Sequence, residues 1–138
     1  MLGRVKPHAL VFALFAMFVC AQAADAIVLN CQRQPGHVAA YVDGQGSILT
    51  PSVRFDVVRA LIRVGLDEYE FETEHVKQAA IGSDRVIRIH AIRDLSAGAT
   101  AEFRLEGRPQ LKDVPFVASL WVRSENREDR GTVLCTID

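Results

Sequence analysis

VRFDVVRALIRV, at residues 53–64, is the stretch on which the fold class depends. Read as a β-strand, it is rich in the β-branched residues that suit a pleated, half-buried surface. The alternation along it breaks at Val57 and Val58, where two apolar residues follow one another. A strand can absorb such a break as a β-bulge, so the strand interpretation predicts a bulge at this pair.

The same stretch also fits a helix. Thr50 stands where an N-cap is expected, Pro51 occupies the first helical position, and Gly65 marks the end. In that alternative the domain is a β-sheet with one helix packed against it over residues 51–64.

The flanking sequence favours the strand. If Ala60, Ile62 and Val64 point inward together with Tyr69 and Phe71, the charged residues between them share the outer face. Arginines then stand opposite glutamates on neighbouring strands, and such cross-strand pairs support a register. We interpret this charge ladder as a solvated structural face rather than a catalytic site. Its members are Arg59, Arg63, Glu70, Glu72, Glu74 and Arg88.

Period-two alternation continues through the rest of the chain, and turn-forming residues separate the alternating segments. DGQG at residues 43–46 has the composition of a tight turn. This spacing predicts an all-β fold, a small antiparallel β-sandwich or barrel of seven to eight strands. The later strands are expected at residues 69–76, 85–93, 100–106, 116–123 and 132–137.

The first 23 residues have the composition of a signal peptide. Arg4 and Lys6 form a positive n-region, residues 9–20 are an apolar run, and AQA at residues 21–23 provides a cleavage site. We therefore expect residues 24–138 to be a single exported domain, periplasmic or secreted. No apolar run after residue 23 is long enough to span a membrane.

Cysteine usage supports the same compartment. Of the three cysteines, Cys20 falls in the predicted signal peptide, which leaves Cys31 and Cys135 near the two ends of the mature chain. In an oxidising compartment this pair is expected to form a disulfide. Two isolated cysteines also lack the paired spacing of a structural zinc site.

The charge balance argues against nucleic acid as a partner. The chain has 16 basic and 17 acidic residues, a formal net charge of −1. Residues 1–23 hold two basic residues and no acid, so their removal leaves a net charge of −3. Nucleic-acid binding requires a clustered basic surface, which this mildly acidic composition does not predict.

Motifs of catalysis and metal binding are missing from the sequence. His37, His75 and His90 fall on three different predicted strands, so no shared metal site is expected. No Gly-x-Ser-x-Gly elbow is present, and a disulfide would remove both cysteines as nucleophiles. We predict no cofactor and no enzymatic activity. The alternative is a small carboxylate-dependent hydrolase of the cell envelope that uses glutamates of the charge ladder.

The remaining features favour a binding surface. Trp121 and Val117 alternate out of phase with the other apolar residues of their strand, and which of the two sets faces the core is left open. An outward-facing Trp is an aromatic anchor of the kind enriched at interfaces, and the charged loop that follows supplies arginines beside it. We therefore predict a noncatalytic domain that binds a protein or a cell-envelope component. Its candidate binding residues are Trp121, Val117, Arg123, Arg127 and Arg130.

The predicted architecture resembles that of the bacterial periplasmic inhibitors of lysozyme. Both are small exported β-domains with cysteines in the first and last strands. The Ser-Gly-x-x-Tyr-like inhibitory loop of those proteins is absent from this sequence. The resemblance implies a function by binding, and the plan is equally compatible with an immunity protein, an accessory subunit of an envelope machine or a small adhesion module.

Overall fold

A computed structural model describes residues 26–33, 37–46, 55–110 and 113–138. The predicted signal peptide at residues 1–23 lies outside these ranges, as do Thr50 and Pro51. Within the described ranges there are nine β-strands, two short 3-10 turns and no α-helix. The strands are β1 (Ala26–Arg33), β2 (Val38–Gln45), β3 (Asp56–Val64), β4 (Asp67–Glu72), β5 (Val76–Ile81), β6 (Ile87–Asp94), β7 (Thr100–Gly107), β8 (Phe116–Ser124) and β9 (Arg127–Ile137).

The strands form one antiparallel sheet that is nearly closed into a barrel. Its order is β4-β3-β2-β1-β9-β8-β7-β6-β5, so strands that follow one another in the chain pair everywhere except at β4 and β5. The first and last strands also pair, which places the two ends of the described chain side by side. The all-β prediction is therefore confirmed, with a barrel-like sheet as its form.

The sheet ends at a seam between β4 and β5. Because every pairing is antiparallel, these two strands run in the same direction, separated only by the 3-10 turn Thr73–His75. They are thus consecutive halves of one bent segment, the first paired with β3 and the second with β6. Contacts cross the seam: Arg93 Nη1 donates to the Glu70 carbonyl oxygen at 2.6 Å, and the Phe71 and Phe103 ring centroids lie 4.9 Å apart.

The stretch that decides the fold is a strand, β3, with a bulge where its alternation breaks. Asp43 and Gly44 of β2 stand opposite Arg59 and Val57 respectively, so Val58 between them has no partner across the pair. Because of this extra residue, the apolar side chains at Ala60, Ile62 and Val64 again point into the core. The strand interpretation is confirmed over Asp56–Val64, where the alternative of a helix is wrong; residues 51–54 lie outside the described ranges.

Two features differ from the sequence-based expectation. The turn predicted at residues 43–46 is wrong, because β2 continues through the bulge to Gln45. We expected seven to eight strands, and the described residues form nine because β5 is an additional strand. Its sequence, VKQAAI, lacks the alternation that marks the other strands, because half-buried alanines stand next to one another in it.

The barrel interior is filled by apolar side chains from all nine strands. Two glycines make space for aromatic rings in it. A Cβ on Gly44 would lie 2.6 Å from Phe55 Cζ, and a Cβ on Gly107 would lie 2.9 Å from Phe116 Cε2. Glycine in a strand commonly marks such a close approach, so both rings can close the core against the backbone.

One end of the barrel is closed by polar contacts. Arg33 Nη1 lies 2.8 Å from Asp129 Oδ1, which links β1 to β9. Tyr69 donates its hydroxyl hydrogen to Ser124 Oγ at 2.9 Å, from β4 to β8. Because β4 and β8 are not neighbours in the sheet, the second contact spans the mouth of the barrel.

Cys31 and Cys135 form the predicted disulfide between β1 and β9. They stand directly opposite one another in the paired strands, and both are fully buried. The bond joins positions 104 residues apart, so it closes nearly the whole described chain into one loop. On the chain-entropy estimate, a cross-link of this length stabilises a fold by at most about 4–5 kcal/mol.

Reduction of this disulfide should lower the free energy of unfolding by up to about 4 kcal/mol, because the unfolded chain regains the entropy of an open loop. Urea unfolding of residues 24–138 with and without dithiothreitol measures the change. A Cys31→Ala/Cys135→Ala variant provides the control, since its stability should not respond to the reductant. Two reactive thiols per unreduced, unfolded chain would contradict the prediction.

Replacement of Gly44 with Ala should destabilise the fold by about 2–3 kcal/mol, because the added methyl group overpacks the bulge. That methyl group would meet the Phe55 ring and, at 2.7 Å, the Asp56 carbonyl oxygen. Gly98→Ala is the control: its Cβ has no neighbour within 4 Å, and only the positive φ of 77° opposes it. Equal losses in thermal unfolding would show that the Phe55 contact does not constrain the bulge.

Candidate binding site

The outer face of β7, β8 and β9 surrounds the single tryptophan of the chain. The side chains of Phe116, Ala118, Leu120 and Val122 are buried in the core, so the alternate residues of β8, including Trp121, point outward. The register places Arg104 of β7 on one side of Trp121 and Arg130 of β9 on its other side. These three residues form a row across the strands, which we call the Arg-Trp-Arg row.

A groove with a volume of about 590 Å³ lies beside the Arg-Trp-Arg row. The next residues along the strands, Glu106, Ser119 and Thr132, form a second row that is parallel to the first. Gly131 and the backbone at Leu120 complete the lining. Apart from Glu106, the second row consists of Ser119 and Thr132. Their side chains are short, and their hydroxyl groups can donate and accept hydrogen bonds at the base of the groove.

The indole of Trp121 is held in one orientation by its neighbours. Its Nε1–H donates to Glu128 Oε1 at 2.8 Å. The guanidinium carbons of Arg104 and Arg123 each lie 5.4 Å from the ring centroid, within the range of cation–π attraction. Because the ring is half-buried, one part of it packs against the sheet and another part remains accessible.

A buried carboxylate, Glu102, lies next to this face. Only 5% of the residue is exposed, although it points away from the core, because side chains of the neighbouring strands cover it. Its Oε2 lies 2.5 Å from His90 Nε2, and its Oε1 accepts a hydrogen bond from Arg123 Nη2 at 2.9 Å. Charge-assisted hydrogen bonds of this kind compensate the cost of removing a carboxylate from water.

Two of the guanidinium groups retain hydrogen-bonding capacity. Arg104 Nη2 is 3.8 Å from the nearest Glu102 oxygen, and Arg130 Nη2 is 3.6 Å from Glu128 Oε1. Both distances exceed those of ordinary hydrogen bonds, so the pairings are weak. The Arg104 side chain is 59% exposed and that of Arg130 is 76% exposed, so both groups are available to a ligand in the groove.

An exposed apolar pair lies further along the same two strands. Val117 of β8 stands directly opposite Leu134 of β9. Val117 is 64% exposed and Leu134 is 54% exposed. Together with the Arg-Trp-Arg row, this pair gives the face the mixture of aromatic, arginine and aliphatic groups that is typical of protein recognition surfaces.

The structure brings together four of the five candidate binding residues, Trp121, Val117, Arg123 and Arg130. Arg127 lies elsewhere: its Nη1 donates to the Val64 carbonyl oxygen at 2.6 Å and is 3.1 Å from Asp67 Oδ2. It therefore ties the β8–β9 turn to the end of β3, a structural position at the end of the barrel. Whether it also contributes to binding stays a prediction.

The sequence pattern does not predict the residues that β7 and β6 contribute to this face, which are Arg104, Glu102 and His90. Alternation along β7 places Glu102 and Arg104 on the outer face, but it does not say which residues of β8 stand beside them. A register for the β7–β8 pair, aligned on the outward Trp121, would have been the signal that found them.

Arg59 and Arg63 of the charge ladder lie on β3, and Glu70 and Glu72 lie on β4. Glu74 lies in the 3-10 turn that follows β4, and Arg88 lies apart from the ladder. Arg59 stands opposite Glu72, and its Nη1 is 4.0 Å from Glu70 Oε1. Glu70, Glu72 and Glu74 are all exposed. Arg88 lies on β6, beyond the seam, because β5 follows β4 in the chain and takes the pairing with β6.

Arg88 instead pairs with Asp84 in the β5–β6 turn, at 2.7 Å between Nη2 and Oδ2. The Arg88 guanidinium donates hydrogen bonds to the Asp84 carboxylate, and the Val86 backbone N–H donates another. These contacts lower the pKa of Asp84 from 3.8 to about 2. The same pairing raises the pKa of Arg88. This pair stabilises a turn, and neither residue lines the groove.

The histidines occupy separate environments, and His75 lies in the 3-10 turn rather than on a strand. His75 Nδ1 accepts the backbone N–H of Glu72 at 2.9 Å, His90 contacts Glu102, and His37 is exposed. No group of three or more His, Cys, Asp or Glu residues in the described ranges is arranged to hold a metal ion.

Replacement of Glu102 with Gln should destabilise the fold by about 2–4 kcal/mol, because it leaves Arg123 and His90 without their buried charged partner. Urea unfolding with the disulfide intact measures the change. Glu106→Gln is the matched control on the same strand, because Glu106 is exposed and its replacement should alter stability by less than about 0.5 kcal/mol. Equal stability of the two variants would contradict a structural role for the Glu102 network.

Comparisons with protein-family models, with curated proteins and with solved structures return no match for this chain. Across the part of the chain that the structure describes, no helix is long and apolar enough to cross a membrane. The outer face of β7–β9 presents a fixed indole, exposed guanidinium groups, a hydroxyl-lined groove and an apolar pair.

Proposed function

We propose that this chain is a noncatalytic exported domain, periplasmic or secreted, that binds a protein or a cell-envelope component through the outer face of β7, β8 and β9. One observation carries the proposal: Trp121 is held in place by Glu128 and flanked by guanidinium groups, yet it remains partly accessible beside a groove. The buried disulfide is compatible with an oxidising compartment and supports the exported location.

The energetics of binding favour such a site. Tryptophan and arginine are the residues most enriched among those whose truncation weakens interfaces strongly. The hydrogen bond to Glu128 and the contacts with Arg104 and Arg123 fix the indole before a ligand arrives. A site that is already ordered loses less conformational entropy on binding, so more of the contact energy contributes to affinity.

The exposed carboxylates give less support to the hydrolase alternative. General acid and nucleophile roles require two carboxyl groups in different environments within a cleft. Glu70, Glu72 and Glu74 share one exposed environment, and Arg59 stands beside them on the adjacent strand. The buried carboxylate, Glu102, is bound by His90 and Arg123, which supports a structural role.

Replacement of Trp121 with Ala should weaken binding of an envelope component by about 2 kcal/mol, or about 30-fold in Kd, because the aromatic anchor is lost. Saturable binding of labelled envelope extract to immobilised residues 24–138 measures this change. Tyr41→Ala is the matched control, since Tyr41 is a half-buried aromatic residue on the outer face of β2. Both variants should retain the far-UV circular dichroism of the unmodified domain.

Equal binding by the two aromatic variants would overturn the assignment of this face. A second outcome would overturn the noncatalytic class itself: saturable hydrolysis of a peptidoglycan, ester or peptide substrate that disappears in a Glu70→Gln/Glu72→Gln variant. We expect that variant to bind as the unmodified domain does.

A further inference from the structure

Arg104 and Arg130 stand on either side of Trp121 and line the same groove. They belong to strands on opposite sides of β8, so their backbones are about 10 Å apart, and both side chains line the same groove. Long arginine side chains can close that distance on a single carboxylate or phosphate group. Guanidinium groups bind such anions through charge-assisted hydrogen bonds, often bidentate ones.

The local charge balance favours an anion. The cluster around the indole contains three guanidinium groups, those of Arg104, Arg123 and Arg130, against the carboxylates of Glu102 and Glu128. Around the indole itself, without Glu106 of the adjacent row, one positive charge is therefore in excess. Glu102 is already bound by His90 and Arg123, so it leaves most of the charge of Arg104 uncompensated.

Glu106 also lines the groove and would repel an anion if it were alone. It stands directly opposite Arg88 on β6, and its charge contributes to the raised pKa of Arg88. Arg88 hydrogen-bonds to Asp84, so it offsets the Glu106 carboxylate only in part. The anion position that the structure favours lies toward Trp121 and Arg130, away from Glu106.

The groove suits a saccharide better than an extended peptide. β8 is paired on both sides, with β7 and with β9, so its backbone has no open edge to which a peptide strand could add. A ligand must therefore be recognised by side chains. Ser119 and Thr132 offer hydroxyl groups that can donate to and accept from sugar hydroxyls, and the fixed indole offers a flat apolar surface for a sugar ring.

We infer that the groove beside Trp121 binds an acidic saccharide, with its acid group between Arg104 and Arg130 and a sugar ring against the indole. The inference rests on the proposed binding function of this face and names its ligand class. The acid group can be a carboxylate of an acidic sugar or a phosphate of a phosphorylated sugar, since both accept bidentate hydrogen bonds from guanidinium groups.

The single tryptophan makes the test direct, because all tryptophan fluorescence of the chain comes from this site. Residues 24–138, with the disulfide intact, are titrated with trigalacturonate, trehalose 6-phosphate, maltotriose and tetraglutamate. We expect saturable changes with one or both acidic saccharides and none with the neutral maltotriose. Addition of about 0.5 M NaCl should weaken the response, because the contact is between charges at a solvent-exposed site.

Arg104→Gln and Arg130→Gln should each weaken binding of the acidic saccharide about tenfold, since each removes one charged donor to the anion. Arg59→Gln is the matched control: it removes an exposed arginine from β3, on a different part of the barrel, and should leave the titration unchanged. Thermal unfolding of each variant checks that the fold is retained.

The outcomes separate this inference from the proposed function. If Trp121→Ala loses envelope binding but neither acidic saccharide binds, the ligand class is wrong and the binding face stands. Tighter binding of tetraglutamate than of the saccharides would replace the saccharide with an acidic protein segment. Acidic saccharide binding that Arg104→Gln and Arg130→Gln leave unchanged would overturn the anion position. Failure of both envelope binding and every titration would overturn the function and the inference together.

Discussion

The pairing of the first strand with the last is the constraint on which the rest of the structure depends. β1 and β9 join two meanders of the chain, β1 to β4 and β5 to β9, into one sheet. The buried Cys31–Cys135 disulfide fixes that pairing at its centre and ties the two ends of the described chain together. β9 pairs with β1 on one edge and with β8 on the other. It therefore supplies the third strand of the outer face around Trp121.

Side chains fill the interior of this barrel, which leaves its outer surface accessible to a ligand. On that surface a buried carboxylate links β6, β7 and β8. Glu102 binds His90 on one neighbouring strand and Arg123 on the other, so three strands are joined by one charged group. The same hydrogen bonds position Arg123 near the indole and leave the guanidinium groups of Arg104 and Arg130 largely exposed.

Two kinds of charged surface therefore occur on one barrel, and they differ in what their charges do. On β3 and β4 the carboxylates of Glu70 and Glu72 alternate with the guanidinium group of Arg59 across an open, solvated face, where single ion pairs contribute little. On β7–β9 the charges surround a fixed aromatic ring and a groove, and some of them are not satisfied within the protein. The second arrangement supports a role in binding.

The sequence by itself determined the β-class, the bulge in β3 and the pairing of Cys31 with Cys135. Alternation reports which face of a strand a side chain occupies, and the Val57–Val58 break marked the bulge for that reason. Alternation does not report which strands stand next to one another. The separation of Arg88 from the charge ladder, the turn contact of Arg127 and the approach of Arg104 and Arg130 to Trp121 were decided only by the tertiary structure. All three depend on strand order and register, which arise from contacts between residues far apart in the chain.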